Sequence, residues 1–394
     1  MPDAPLNVLL GGDAILGNRT GVGRMALQIA KSLRGRPDIA ELRLLVGARA
    51  CTPDLLDRLG QSAPPPDPEA RAKGARGLAR RIPGLARARA QWLRRWLNHE
   101  AAQLGPPLVY HEPNLIARPF DGVTVLTIND LSWLADAHFH PRSRLAWIES
   151  RLADSLAQAT RFVAISHFTR DEMVRHLGIA RERIDVVPLA PPASFRPVAA
   201  ECAHETLARW ALADQGFVLS VSTLEPRKNF DRLLAAHGRL PDALRRSHPL
   251  VIAGGQGWGE RLVGRDAAKA IRAGDLRLLG RISDQDLERL YSRCAVFVFP
   301  SLYEGFGLPV IEAMACGAPV IASSTTAVGE TAADAAALVD PLDVDALSDA
   351  MGRVLRDRSL AVSLAERGRM RAADFTWEAT TASLLASWKH ALAG

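Results

Sequence analysis

Cysteine is scarce and scattered in this chain. Cys51, Cys202, Cys294 and Cys316 are the four in 394 residues. None forms a C-x-x-C pair, and no Cys/His set has metal-ligand spacing, so neither a disulfide framework nor a zinc site is expected. Reduced thiols in the cytosol fit this usage. Long apolar runs are missing too: no stretch reaches 18 residues, so no membrane-spanning helix is expected. The opening MPDAPLNVLLGG has no basic n-region and no A-x-A site, and no secretory leader is expected. With 48% hydrophobic and 23% charged residues the composition is that of a globular protein. Its length suits two domains better than one.

Acidic residues are absent from one long segment. Arg71 to Arg95 holds nine Lys/Arg and no Asp/Glu, and against a net charge of +6 this leaves the rest of the chain at about −3. SAPPPDP precedes this segment as a proline-rich linker. Residues 85–97 carry Leu85, Trp92, Leu93, Trp96 and Leu97 at helical spacing among arginines. A basic amphipathic stretch with tryptophan suits an anionic membrane surface, at roughly 1 kcal/mol per cation near it. A solvated helical face packed on its own domain is the alternative, and both readings stay open. The charge would also suit nucleic acid, but no nucleic-acid fold motif accompanies it, so that partner is not expected.

The richest stretch is 295–330. Ala295 to Phe299 reads as a buried strand, ended by Pro300 and Ser301. The loop Glu304-Gly305-Phe306-Gly307 follows. Leu308-Pro309 then opens a helix running from Val310 to Cys316, with Gly317 as its cap. Ala318 to Ala322 reads as the next strand, making a unit of a parallel sheet. A helix N-terminus holds phosphate well. Carboxylates accept hydrogen bonds only, so Glu304 and Glu312 suit sugar hydroxyls and repel phosphate. Together these features describe a nucleotide-sugar pocket.

A second signal is Ser222-Thr223-Leu224-Glu225-Pro226-Arg227-Lys228-Asn229, after a strand at Phe217 to Val221. Arg227 and Lys228 beside a helix N-terminus can neutralise a diphosphate, Arg with forked hydrogen bonds and Lys with a compact charge. Near the beginning, Gly21 and Gly23 sit in a glycine-rich loop before a helix read from Met25 to Leu33, where backbone N–H groups can approach an anion. The run from Gly21 to Ala26 is also a tolerated dinucleotide-binding variant. A nicotinamide enzyme, however, would want an acid closing the next strand, and Leu42 to Val46 runs into Gly47-Ala48-Arg49 instead. Asp-x-Asp at 284–286 and 343–345 flanks helix starts and reads as capping, not metal ligation.

The string PSLYEGFGLPVIEAMACGAPVIAS, with seven residues between its two glutamates, resembles family 4 of the retaining glycosyltransferases. That resemblance implies an α/β chain with the GT-B fold, two Rossmann-like domains facing across a cleft. Residues 1–198 would form the acceptor-side domain and 199–377 the nucleotide-sugar domain, with the terminal helix 378–394 packing back on the first. Glu312 would hold the ribose hydroxyls, and Glu304 with the backbone of Gly305, Phe306, Gly307 and Leu308 the donor sugar. Arg227 and Lys228, across the crevice from these carboxylates, would stabilise the departing diphosphate. Gly254 and Gly255 would lie under the nucleotide, and the backbone at Ile282 at the base edge. Gly21 and Gly23 would line the cleft, and Asn129 and Asp130 would face the acceptor.

Relatives usually have histidine at position 129. Asparagine can bond a hydroxyl but takes no proton near neutral pH. A loop histidine is more often structural, so none of His111, His138 and His140 is assigned a catalytic part. Thr223 stands where many relatives have an arginine, and Arg227 is expected to share that work. The fold implies no metal and no cofactor, the nucleotide sugar being a substrate. The expected reaction moves a hexosyl group, with GDP-mannose as the leading donor, to a glycan or polyprenyl-linked acceptor in envelope polysaccharide synthesis. UDP- or dTDP-sugars are alternative donors, and an inactive GT-B-like binding scaffold is the alternative of another class. The expected location is the cytoplasm, on the inner membrane face if residues 71–97 dock there.

Overall fold

A computed structural model describes residues 4–16, 21–54, 56, 85–258 and 265–394. The proline-rich linker and residues 71–84 of the basic segment lie outside the described residues, as do residues 17–20 of the first glycine-rich loop.

Two mainly parallel sheets divide the chain. The first has seven strands: β1 (Leu6–Gly11), β2 (Ile39–Val46), β3 (Arg49–Cys51), β4 (Leu108–Glu112), β5 (Thr124–Ile128), β6 (Arg161–Ala164) and β7 (Ile184–Val186), in the order β3-β2-β1-β4-β5-β6-β7. The second has six: β8 (Val218–Val221), β9 (Leu250–Ala253), β10 (Leu276–Gly280), β11 (Val296–Phe299), β12 (Val320–Ser323) and β13 (Ala337–Val339), in the order β10-β9-β8-β11-β12-β13.

Parallel strands covered by helices on both faces read as unbroken apolar runs. In β1, Val8 and Leu10 pack with Met25 and Ile29 of helix Gly21–Leu33. Leu9 points the other way and meets Leu45, Leu97 and Tyr110. In β11, Phe297 and Phe299 share a core with Met314, while Val296 and Val298 face Leu233 and Met351. The alternation follows the two-residue period of a strand.

Several expectations are corrected. Gly21 and Gly23 are not in a loop, because helix Gly21–Leu33 already includes both. First-turn N–H groups have no intrahelical partner, so glycine costs little there. Gly47 at φ +59° turns the chain into β3, a three-residue antiparallel edge too short to show a pattern. Helix Arg358–Ala373 is also present, in a stretch where the sequence predicts no element. Pro309 is the second helical residue, since the helix begins at Leu308. Ser283, not Asp284, caps helix Asp284–Arg293, whereas Asp343 does cap helix Val344–Arg356.

The last helix, Trp377–Ala393, returns to the first sheet. Trp388 is fully buried and donates its indole N–H to His111 Nδ1 at 3.0 Å. His111 Nε2 therefore carries the proton and donates to Thr127 Oγ1 at 2.8 Å. Burial pushes this imidazole down to about 3. His111 is thus a core group binding the chain's end to β4 and β5. The site residues follow the carboxyl ends of β1, β5, β8 and β11, where open α/β sheets hold ligands.

Candidate active site

The loop after β8 forms a single 3-10 turn, Pro226–Lys228. Asn229 ends it at φ +60°, with its amide donating to the carbonyls of Pro300 (3.0 Å) and Pro341 (2.6 Å). Asparagine tolerates this left-handed conformation better than most residues. The turn presents two cations to one carboxylate. Arg227 donates to Glu304 Oε2 at 2.9 Å, to the Tyr303 carbonyl at 3.0 Å and to Glu225 at 3.0 Å. Lys228 Nζ and the Ser301 hydroxyl (2.6 Å) both donate to Glu304 Oε1.

Burial pushes Glu304 up, but the charges of Arg227 and Lys228 outweigh it and hold the carboxyl at about 2. Desolvation and the neighbouring Arg227 lower Lys228. The family resemblance implies cations across the crevice from the carboxylates, whereas Arg227 and Lys228 lie on the same wall as Glu304. The cause is strand order: β8 and β11 are neighbours, so the loops after them run side by side.

Glu312 meets a different partner. It projects from helix Leu308–Ala315, is 1% exposed, and accepts from the Tyr291 hydroxyl at 3.2 Å. Arg24 reaches it at 3.0 Å from helix Gly21–Leu33, on the other side of the cleft. The Arg24 guanidinium also lies 5.5 Å from the Phe195 ring centre. Burial pushes Glu312 up to about 7, more than Arg24 brings it down. A ribose reaching this carboxylate must exchange with Arg24. Arg24 closes the stretch TGVGR, which the family resemblance places at the cleft, but its pairing with Glu312 is no expectation of the sequence.

The Glu304–Leu308 loop touches the first domain. A Cβ on Gly305 would lie 1.8 Å from the Asn129 carbonyl oxygen, so only glycine fits this approach. The Thr169 hydroxyl donates to the Gly305 carbonyl at 3.1 Å. Gly307 sits at φ +94° and starts the helix. The Phe306 side chain is buried against Phe375, which leaves a ligand only its backbone. Nearby, Glu330 of the second domain accepts from the backbone N–H groups of His167 (2.9 Å) and Phe168 (2.8 Å) at a helix N-terminus.

The other expected residues surround this contact, and Asn129 and Asp130 form part of it through the Asn129 carbonyl and the Asp130 Cβ. Asn129 uses its amide on the Pro113 carbonyl at 3.0 Å. Asp130 accepts from the Ser132 N–H (3.0 Å) and hydroxyl (2.6 Å). Gly254 packs where a Cβ would stand 1.8 Å from the Ser222 carbonyl oxygen, and Gly255 lies beside the Arg281 side chain. Ile282 is half-buried against the core. Gly21 is exposed and Gly23 buried. Ser301, Glu225 and Tyr303 complete the surroundings. Their part depends on loops meeting in space, which no local pattern reveals. Among the described residues no cluster of three or more His, Cys, Asp or Glu gathers to hold a metal.

With this geometry in place, comparison with known proteins is decisive. Residues 19–190 match the family described as Glycosyltransferase Family 4, and residues 207–371 the one described as Glycosyl transferases group 1. The chain is 35% identical over 381 residues to the O-antigen chain mannosyltransferase B of Escherichia coli, covering 94% of this chain and 96% of that one. The chain belongs to glycosyltransferase family 4. A serotype-specific mannosyltransferase WbdA of the same organism is 30% identical over 305 residues, which span 72% of this chain but 36% of that longer protein.

The architecture is GT-B. Anabaena HepE, solved with UDP and glucose, superposes with a TM-score of 0.70 at 19% identity, covering 96% of this chain and 98% of HepE. WaaG, a glycosyltransferase of lipopolysaccharide biosynthesis, gives 0.67 at 16% identity, covering 97% and 98%. The protein is therefore a glycosyltransferase, and its mannosyltransferase relatives set the direction for the substrate.

Proposed function

We propose that this family 4 enzyme is a retaining mannosyltransferase, moving mannose from GDP-mannose to a hydroxyl of a glycan or lipid-linked acceptor in envelope polysaccharide synthesis. One observation carries the reading: Arg227 and Lys228 converge with Glu304 at the carboxyl ends of β8 and β11, beside the first turn of helix Leu308–Ala315. A diphosphate arriving there would take up the Arg227 and Lys228 donors, while Glu304 turns toward donor-sugar hydroxyls. The two cations then carry the charge that develops as the diphosphate leaves, by the electrostatic effect that dominates in dry sites. Exchange of Arg24 for ribose would free Glu312. The relationship to E. coli O-antigen chain mannosyltransferase B supports mannose as the sugar.

Turnover of GDP-mannose by Glu304→Gln and Lys228→Ala tests the site, and near-normal rates in both remove it. Thermal-shift screening against GDP-, UDP- and dTDP-sugars identifies the donor, since only a bound ligand raises stability. Because the cations would supply the needed charge, EDTA is expected to leave the rate unchanged.

We also propose contact with an anionic membrane through helix Leu85–Leu104. Trp92 is 53% exposed and stacked on Trp96, and Arg87, Arg89, Arg94 and Arg95 are all exposed. No helix of the described residues is long and apolar enough to cross a membrane. Sedimentation with phosphatidylglycerol vesicles, lost on Trp92→Ala with Arg94→Glu, is the expected result.

A further inference from the structure

His140 stands out because one of its nitrogens is orphaned where the two domains meet. The residue is 8% exposed, and Nδ1 is buried with no hydrogen-bond partner. Its other nitrogen, Nε2, lies 2.8 Å from the Ser132 hydroxyl. That hydroxyl lies 2.6 Å from Asp130 Oδ1. A carboxylate only accepts, so Ser132 gives its single proton to Asp130. Nε2 must then carry a hydrogen and donate it to Ser132, since two lone pairs would otherwise face each other. Asp130 and Ser132 thus fix the tautomer, and Nδ1 is left as a lone pair.

The location matches a reacting centre. The turn Ala137–Phe139, just before His140, packs against the turn Pro226–Lys228 that holds the two cations. Trp258 donates its indole N–H to the Phe139 carbonyl at 2.7 Å, and its ring centre is 5.6 Å from that of His140. Arg144 lies 5.1 Å from the same indole centre. The charges that act on the imidazole are Arg144, Arg227 and Asp130. Burial, then Arg144, pushes it down to about 4 against the pull of Asp130. A neutral ring at working pH accepts a hydrogen bond readily but is a poor store for a proton.

We infer that His140 Nδ1 receives the acceptor's attacking hydroxyl and orients it, with Asp130 and Ser132 fixing the ring, so that this chain supplies from position 140 the imidazole missing at Asn129. This rests on the proposed transferase function. In the step, the acceptor oxygen bonds to the anomeric carbon and the bond from that carbon to the diphosphate oxygen breaks. As the new bond to carbon forms, the hydroxyl proton leaves its hydrogen bond to Nδ1 and passes to the departing diphosphate oxygen, so His140 ends neutral as it began.

The test uses the purified full chain, GDP-mannose as donor and octyl α-D-mannoside as acceptor probe. His140→Ala and Ser132→Ala are expected to cut kcat/KM for the acceptor roughly tenfold to a hundredfold, as for lost positioning. The donor KM and the thermal shift given by GDP-mannose should stay within about twofold of wild type, a split that general unfolding would not produce. His140→Asn places an amide oxygen near the Nδ1 position and is expected to retain more activity than His140→Gln. Wild-type acceptor kinetics in His140→Ala and Ser132→Ala, or parallel losses for donor and acceptor, would overturn the inference alone. No transfer by the wild type from GDP-, UDP- or dTDP-sugars would remove the functional reading and this inference with it.

Discussion

Glu304 and Glu312 belong to one short stretch of sequence, yet they inhabit opposite electrostatic worlds. Glu304 is matched by two cations and a serine from its own domain. Glu312 is matched by one tyrosine from its own domain and one arginine from the other. The first ends at about 2 and the second at about 7. A charge neutralised within one rigid sheet is present whatever the domains do. A charge neutralised across a cleft depends on how the domains stand, so only the second reports on the interdomain arrangement.

The largest break in this contrast should come from Glu304→Gln. It strands the buried Lys228 and leaves Arg227 with Glu225 as its one carboxylate, at a stability cost on the order of 3–5 kcal/mol by urea unfolding. Glycosyl transfer should fall at least about a hundredfold, the scale of losing a preorganised charge. Next is Gly305→Ala, whose methyl would collide with the Asn129 carbonyl and hold the domains apart. A loss of about a hundredfold in kcat/KM with a nearly unchanged unfolding transition is expected.

A smaller effect is expected for the Arg24–Glu312 pair. In an Arg24→Ala and Glu312→Gln double-mutant cycle, a coupling energy of about 0.5–3 kcal/mol is expected from residues in direct contact. Coupling near zero would place this pair with ordinary surface ion pairs. The finest distinction is in pH. Glu304 lies below its unfolded value of 4.5, so its stabilisation is complete above that value and is lost as pH falls toward about 2. Glu312 lies above 4.5, so its folded form holds a proton longer and stability falls as pH rises from about 4.5 to about 7. Urea titrations of Glu304→Gln and Glu312→Gln from pH 3 to 8 should lose opposite slopes.

Much of this arrangement was legible in the residues. Parallel strands buried on both faces wrote themselves as runs such as VFVF and LVIA, and the glycine and proline around 305–317 marked a strand, loop and helix. The ion pairs were not legible, because they depend on which strands become neighbours. Arg227 is 77 residues from Glu304 and meets it only because β8 pairs with β11. Arg24 is farther still from Glu312, and its pairing requires the two domains to meet. His140 gave no signal of its own: its lone pair is defined by Ser132, and Ser132 by Asp130. Edge strand β3 has three residues and no buried face to write a pattern.

The chain passes between its two sheets twice, after β7 and again before helix Trp377–Ala393, and the two passages are tied to each other. Trp377 donates to the Pro191 carbonyl at 3.0 Å and Thr380 to that of Pro188 at 2.8 Å. Such a double seam acts as a door hinge rather than a ball joint. Any opening would then be confined to rotation about one axis, and closing would bring Gly305 back to Asn129 and Arg24 back to Glu312 in the same alignment.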